Sequence, residues 1–150
     1  MIEEFWQEFV AATDIDGGYE AWAFGEPETL PDLSTELALL VRDGPKRATA
    51  GLLAEYEEEG EALPLPGDLS LILDGASAPV CVIRTTQVET RRFGDVDEAF
   101  AWDEGEGDRT LEWWRKAHMW FFAEQGIDVD DDTMMVLERF ELLWPGGEHE

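Results

Sequence analysis

The chain has 150 residues, 44% of them hydrophobic, which is the length and composition of a single globular domain able to bury a core. Its 36 acidic residues against 10 basic ones give a net charge of −26, and that excludes long nucleic-acid tracts as a default partner, because neutralising phosphates takes clustered Lys and Arg. The N-terminus lacks the basic start and apolar run of a secretory signal, and no window approaches the roughly 18 apolar residues of a membrane span, so we expect a cytoplasmic protein with no membrane partner.

Ile2, Phe5, Trp6, Phe9 and Val10 recur at helical spacing until Asp16-Gly17-Gly18 stops the pattern, which predicts a first helix with an aromatic core stripe. Tyr19 to Phe24 alternates aromatics as a short strand does, and Gly25-Glu26-Pro27 ends it. A second helix opens at Leu30-Pro31, presents Leu33, Leu37, Leu40 and Val41 on one face, and stops at Gly44. Lys46 to Ala50 reads as a short strand or strand entrance, Leu52 to Tyr56 as a short helix ending at Gly60, and 63–68 as a turn. Leu69 to Leu73 and Val80 to Val88 are the clearest strands, joined by the hairpin signal Asp74-Gly75-Ala76-Ser77. A short helix is expected over 96–102, a long one from Leu111 to about Gln125 capped by Thr110, and a final strand from Met134 to Leu143. With hairpins and no βαβ run, the expectation is an α+β domain on an antiparallel sheet or barrel, residues 1–150 forming one unit with a flexible tail over 145–150 that leaves His149 little functional weight.

Cys81 is the only cysteine, so no internal disulfide exists, and Pro79-Val80-Cys81-Val82-Ile83 makes it a small buried hydrophobe. The acid excess also suits a protein that stays soluble in strong salt, or one from an acidic, lysine-poor proteome.

Only two lysines occur, Lys46 and Lys116. Lys46 lies in Gly44-Pro45-Lys46-Arg47-Ala48-Thr49, three residues before a hydroxyl. A desolvated lysine can take a proton from a hydroxyl, as in Ser-Lys hydrolases, which would make Thr49 the nucleophile. On a strand, residues three apart face opposite sides, so both reach one pocket only if Lys46 still belongs to the turn. The plainer alternative is a solvated cation at a helix end. Trp102-Asp103-Glu104-Gly105-Glu106-Gly107-Asp108 is rich in acid but lacks the ligand order of an EF-hand and any Cys or His for zinc, so no metal and no cofactor are expected. One glutamate of this Gly-flexed loop could face the lysine; otherwise it is an acidic surface loop. Trp114, Arg115 and His118 share a helix; they are core groups or groups that stack on and hold a base. Arg84, in the most hydrophobic strand, needs a buried acid or a ligand as partner.

At Gly44-Pro45-Lys46-Arg47-Ala48-Thr49 the chain resembles the ASCH domain family and its Gly-x-Lys-x-x-Thr signature. Tyr19-Glu20-Ala21-Trp22-Ala23-Phe24-Gly25, Pro66-Gly67-Asp68, Val82-Ile83-Arg84-Thr85-Thr86, Glu104-Gly105-Glu106-Gly107-Asp108 and Trp114-Arg115-x-x-His118 look like the longer bacterial branch, in the same order and over nearly the whole chain. The resemblance implies a PUA-like β-barrel, mostly antiparallel, with flanking helices and a cleft for a nucleoside or RNA ligand. Some small members deacetylate N4-acetylcytidine through a Lys, Thr and Glu set, and members of the longer branch have been described as ribonucleases. Carried over, Lys46 and Thr49 match the first two, and Glu104 or its neighbour Glu106 the third. The expected mechanism has Lys46 deprotonating Thr49, Thr49 attacking an amide carbonyl, and Glu104 positioning Lys46 and relaying a proton. Arg84, Thr85, Trp114, Arg115, His118, Trp22 and Glu106 would bind substrate. The alternatives are a non-catalytic RNA- or nucleotide-binding module, and a ribonuclease using Lys46 with His118.

Overall fold

The strand signal at Val80–Val88 belongs to the longest element of the sheet. The computed structural model describes residues 1–146 and places five strands there: β1 (Tyr19–Ala23), β2 (Ala48–Leu52), β3 (Leu69–Leu73), β4 (Pro79–Arg92) and β5 (Met134–Trp144). The expected tail, with His149, lies from residue 147 on outside the described residues. The helices are α1 (Ile2–Thr13), α2 (Pro31–Asp43), α3 (Leu53–Glu59), α4 (Glu98–Glu104) and α5 (Leu111–Glu124), with a 3₁₀ turn over Phe93–Asp95. None of the described helices is long and apolar enough to cross a membrane.

The strands form one mixed sheet in the order β1-β3-β4-β5-β2, with β1 parallel to β3 and the other pairings antiparallel. Register shifts at Val82/Ile83 and Thr85/Gln87 break the β4–β5 ladder. Such irregularities bend a strand and sharpen its twist, and the sheet curls strongly into a half-barrel. This is the α+β, barrel-like architecture expected, but it is open: β1 and β2 are its two edges.

Both faces of the sheet are covered, which is why β3 and β4 read as continuous apolar runs. Leu71, Val82 and Leu143 pack with Trp6 and Phe9 of α1, while Ile72, Cys81, Ile83, Phe140 and Leu142 pack with Leu37, Ala38 and Val41 of α2. Cys81 is fully buried, and burial pushes its thiol up to about 12. A third cluster joins Phe93, Phe100, Trp114 and Phe122 to Met135 and Leu137.

Two local features bear on the site, the first of them a departure from the sequence reading. The helix expected over 96–102 sits two residues later, because the Asp97 side chain accepts the Phe100 N–H at 2.9 Å as its cap and Gly105, at φ 69°, ends it. Glu104 is therefore the last residue of a helix rather than a loop residue. Gly44 is extended, at φ −132°, and not left-handed; the free carbonyls at this end of α2 are met by Arg47, whose guanidinium donates to Val41 O at 3.1 Å and Gly44 O at 3.3 Å.

The β3–β4 turn rests directly on the start of α2: a Cβ added at Gly75 would lie 2.0 Å from the Pro31 carbonyl oxygen. Gly75→Ala must push the turn off the helix, and we expect a loss of roughly 1–3 kcal/mol, read from urea unfolding midpoints at unchanged m-value.

Candidate functional site

Lys46 is still in the turn after α2. Its backbone N–H donates to Leu40 O at 3.2 Å, and β2 begins only at Ala48, so the geometric condition for Lys46 and Thr49 to face one cavity is met. The side chain is no solvated cation: the residue is 1% exposed. Its ammonium donates to Ala48 O at 2.8 Å, Glu104 Oε1 at 3.0 Å and Glu106 Oε2 at 2.8 Å, and lies 5.3 Å from the centre of the Phe24 ring. Gly105 makes this possible. A Cβ there would stand 2.8 Å from the Lys46 N and Cα, so only glycine lets the α4 terminus press against the lysine backbone and place a carboxylate on either side of Nζ.

Glu104 is 1% exposed and its carboxylate is saturated with donors. Oε1 takes Lys46; Oε2 takes the Trp114 indole N–H, and His118 Nε2 at 3.1 Å. Burial alone would raise its pKa, but the charges of Lys46 and His118 outweigh that and hold it well below the usual carboxylate range. Burial likewise works against the Lys46 ammonium, and the two glutamates overcome it and raise its pKa. For His118, burial is again overcome by Glu104, and its pKa rises above the ordinary 6.5. Its Nδ1 lies 2.8 Å from Trp114 O. Both ring nitrogens therefore face acceptors, an arrangement satisfied fully by the imidazolium. Glu106 moves the other way from Glu104: burial and the neighbouring Glu104 charge raise it against the pull of Lys46.

Lys46 is thus a buried ammonium with its N–H bonds engaged by Ala48, Glu104 and Glu106 and its pKa raised, while burial and the Glu104 charge push Glu106 towards its neutral form.

Lys46, Thr49, Glu104, Glu106 and His118 line one cavity of about 330 Å³. Phe24, Gly25, Thr49, Ala50, Phe121 and Phe122 also line a larger cleft of about 870 Å³, so Thr49 stands where the two meet. The cleft is lined by residues of all five strands, including Trp22 of the β1 edge, Thr49 of the β2 edge, and Ser70, Thr85 and Glu138 of the interior strands. Of its lining, seven residues are Asp or Glu and none is Lys or Arg. Its aromatic walls include Trp22, Tyr56 and Phe121, and burial with the Glu138 charge pushes the Tyr56 phenol up to about 12.

The residues expected to bind substrate divide. Glu106 and His118 line the small cavity; Trp22 and Thr85 line the cleft. Trp114 does not offer a face to a ligand: it is 1% exposed, with Phe93 stacked on it at 5.4 Å and His118 at 4.1 Å. Arg115 turns away and donates to Gly94 O at 3.0 Å. Arg84 also lies outside both cavities and pairs with Glu141 at 2.9 Å across the sheet, half exposed rather than reaching a ligand. Periodicity put Trp114 and Arg115 on one helix without saying which side the sheet covers, and an arginine in an apolar strand does not reveal its cross-strand partner. The sequence reading missed Glu138 and Phe24. Glu138 had a signal, an acid in the middle of an apolar strand, but its alternation with Val136 and Phe140 looked like one face of an ordinary strand. Among the described residues, no group of three or more His, Cys, Asp or Glu is arranged to hold a metal ion.

A family model described as the ASCH domain matches residues 20–144. The crystal structure of an ASCH domain from Lactobacillus crispatus superposes with a TM-score of 0.83 at 29% identity, covering 96% of this chain and 94% of that one. A crystal structure of a protein from Enterococcus faecalis gives a TM-score of 0.81 at 36% identity, covering 94% of this chain and 86% of that one. No curated protein matches the chain.

Removing the acceptor at the centre of this network leaves three buried donors unmatched. Glu104→Ala is expected to cost roughly 3–5 kcal/mol, measured by denaturant unfolding. The His118 contribution has a definite sign. Its pKa is higher in the fold than in the unfolded chain, so the stability it adds is full below the ordinary 6.5 and is lost as the pH rises through the folded value. The stability gap between wild type and His118→Gln should therefore shrink as thermal melts move from about pH 6 to about pH 9.

Proposed function

The chain belongs to the ASCH domain family, and on that premise we propose that it hydrolyses an amide on a modified nucleoside, with N4-acetylcytidine as the pattern substrate. The observation that carries this reading is the junction at Thr49. A hydroxyl nucleophile stands between a buried Lys-Glu-Glu set and an aromatic cleft with no cation in its walls. Such a cleft favours a neutral ring and disfavours phosphate. That speaks against the two alternatives, an RNA- or nucleotide-binding module and a ribonuclease, both of which need a cation for the phosphate. Lys46 is poorly suited to that, since two carboxylates already neutralise it.

In the proposed reaction, Thr49 Oγ1 attacks the amide carbonyl carbon and its proton passes to Glu106. Protonation cancels the Glu106 charge, which loosens its bond to Lys46 and frees one ammonium N–H for the developing oxyanion. The tetrahedral adduct collapses as Glu106 returns the proton to the leaving amine. Water, activated by the same carboxylate, then cleaves the acyl-Thr49 ester and releases the acid. Glu104, locked by Lys46, Trp114 and His118, stays ionised throughout and holds Lys46 in place.

Release of cytidine from N4-acetylcytidine tests this. Lys46→Ala is a poor choice of variant, because it strands Glu104 as a buried charge and risks the fold. Thr49 is half-buried and Glu106→Gln keeps shape, so these variants should stay folded while losing about 10²–10⁴-fold in kcat/KM. Wild-type turnover should hardly respond to salt, as the substrate is uncharged. Absence of turnover in the wild type, or full activity in Thr49→Ala, would sink the proposal; binding that weakens steeply with salt would favour the RNA-binding module.

A further inference from the structure

Glu138 takes no part in the Lys46 network. It lies in the middle of β5, opposite Thr49 of β2 in the antiparallel register. Directly opposed residues of such a pair project side by side from the same face, with Cβ atoms about 4.5–5.5 Å apart. Glu138 is 5% exposed, and the Thr85 hydroxyl donates to its Oε2 at 2.7 Å. Its other oxygen has no hydrogen-bond partner among the described residues, and the residue lines the cleft. That oxygen is not sealed from solvent: on a carboxyl group otherwise buried and tied down at Oε2, it is an acceptor that opens on the cleft. Burial raises its pKa, and the remaining acids around the cleft offer no compensation, since none carries positive charge.

We propose that the open oxygen of Glu138 accepts an N–H from the exocyclic amino or amide nitrogen of the ligand's ring, making Glu138 the specificity residue that selects an aminopyrimidine over its keto analogue. Thr85 is its positioning residue: by occupying Oε2 it aims Oε1 at the cleft. The arrangement sets the nitrogen of the scissile amide beside Thr49, where the attack must occur. Against the ionised carboxylate, a keto oxygen in the same place would set two acceptors facing one another with no proton between them. The inference rests on the reading of the cleft as a nucleoside site but not on turnover.

Equilibrium binding of the unreactive probes cytidine and uridine, by calorimetry on the full chain, tests it without catalysis. The wild type should bind cytidine more tightly than uridine by about ten- to a hundredfold. In Glu138→Gln the amide can donate to a keto oxygen, so the ratio should collapse to about one or invert. Thr85→Val, which frees the carboxyl to rotate, should reduce the ratio in part. Thermal melts report whether each variant is folded, and the wild-type ratio stands even if Glu138→Gln is not. Equal affinity for both probes, binding of neither, or an unchanged ratio in folded Glu138→Gln would overturn the proposal. Discrimination without hydrolysis of N4-acetylcytidine would retain this inference while removing the proposed reaction; hydrolysis with no dependence on Glu138 would do the reverse.

Discussion

A single buried ammonium organises this protein. Lys46 leaves the end of α2 and enters a position that water does not reach, where its charge is tolerable only because Glu104, the last residue of α4, and Glu106 just beyond it close on it. That demand propagates outward. Glu104 must be anchored in turn, and the Trp114 indole and His118 ring supply the donors, which fixes α5 against α4. Gly105 must remain free of a side chain so that the loop can approach. The site is therefore not placed on a finished scaffold; the contact of α2, α4 and α5 around it is made by its own polar bonds as much as by the apolar cluster beneath.

The half-barrel sets where a ligand can come from. Bulges in the β4–β5 ladder curl the sheet, yet β1 and β2 remain apart as unpaired edges. An open sheet edge is ordinarily a hazard. Here residues of both edges line the cleft, and Thr49 on β2 lines both it and the Lys46 cavity. The polypeptide's overall charge of −26 and the local chemistry of the cleft agree in sign, so the electrostatics that repel long nucleic acids outside also disfavour a phosphate inside. The exception is the Lys46 pocket, where charge is balanced over a few ångströms.

Much of the architecture was legible in the chain because it rests on local signals. Apolar periodicity marked α1, α2 and α5, the Thr110 cap marked the start of α5, and apolar runs on either side of Asp74-Gly75 marked the β3–β4 hairpin. The misreadings arose where a tertiary partner outweighed a local preference. β4 continues past Val88 to Arg92 because β5 pairs with it that far. Trp114, an apparent stacking platform, is consumed by the core and by Glu104. Arg84 finds Glu141 across the strand. The family signature pointed to Lys46, Thr49 and one of two glutamates; all four residues line one cavity, and both glutamates bond Lys46.

What the sequence determined by itself was most of the set of elements, the acidity, and the short list of polar residues whose spacing brings chemistry near a turn. These depend on neighbours within a few positions, and a linear reading captures them. Only the tertiary structure decided protonation and direction. Whether Lys46 is a base or an ammonium depends on two carboxylates some sixty residues away in the chain. Whether Glu138 is a surface acid or a buried acceptor beside Thr49 depends on the β2–β5 register. Desolvation and charge pairing act through space with a strength set by distance and burial, and neither quantity exists until the sheet has curled and the helices have closed over it.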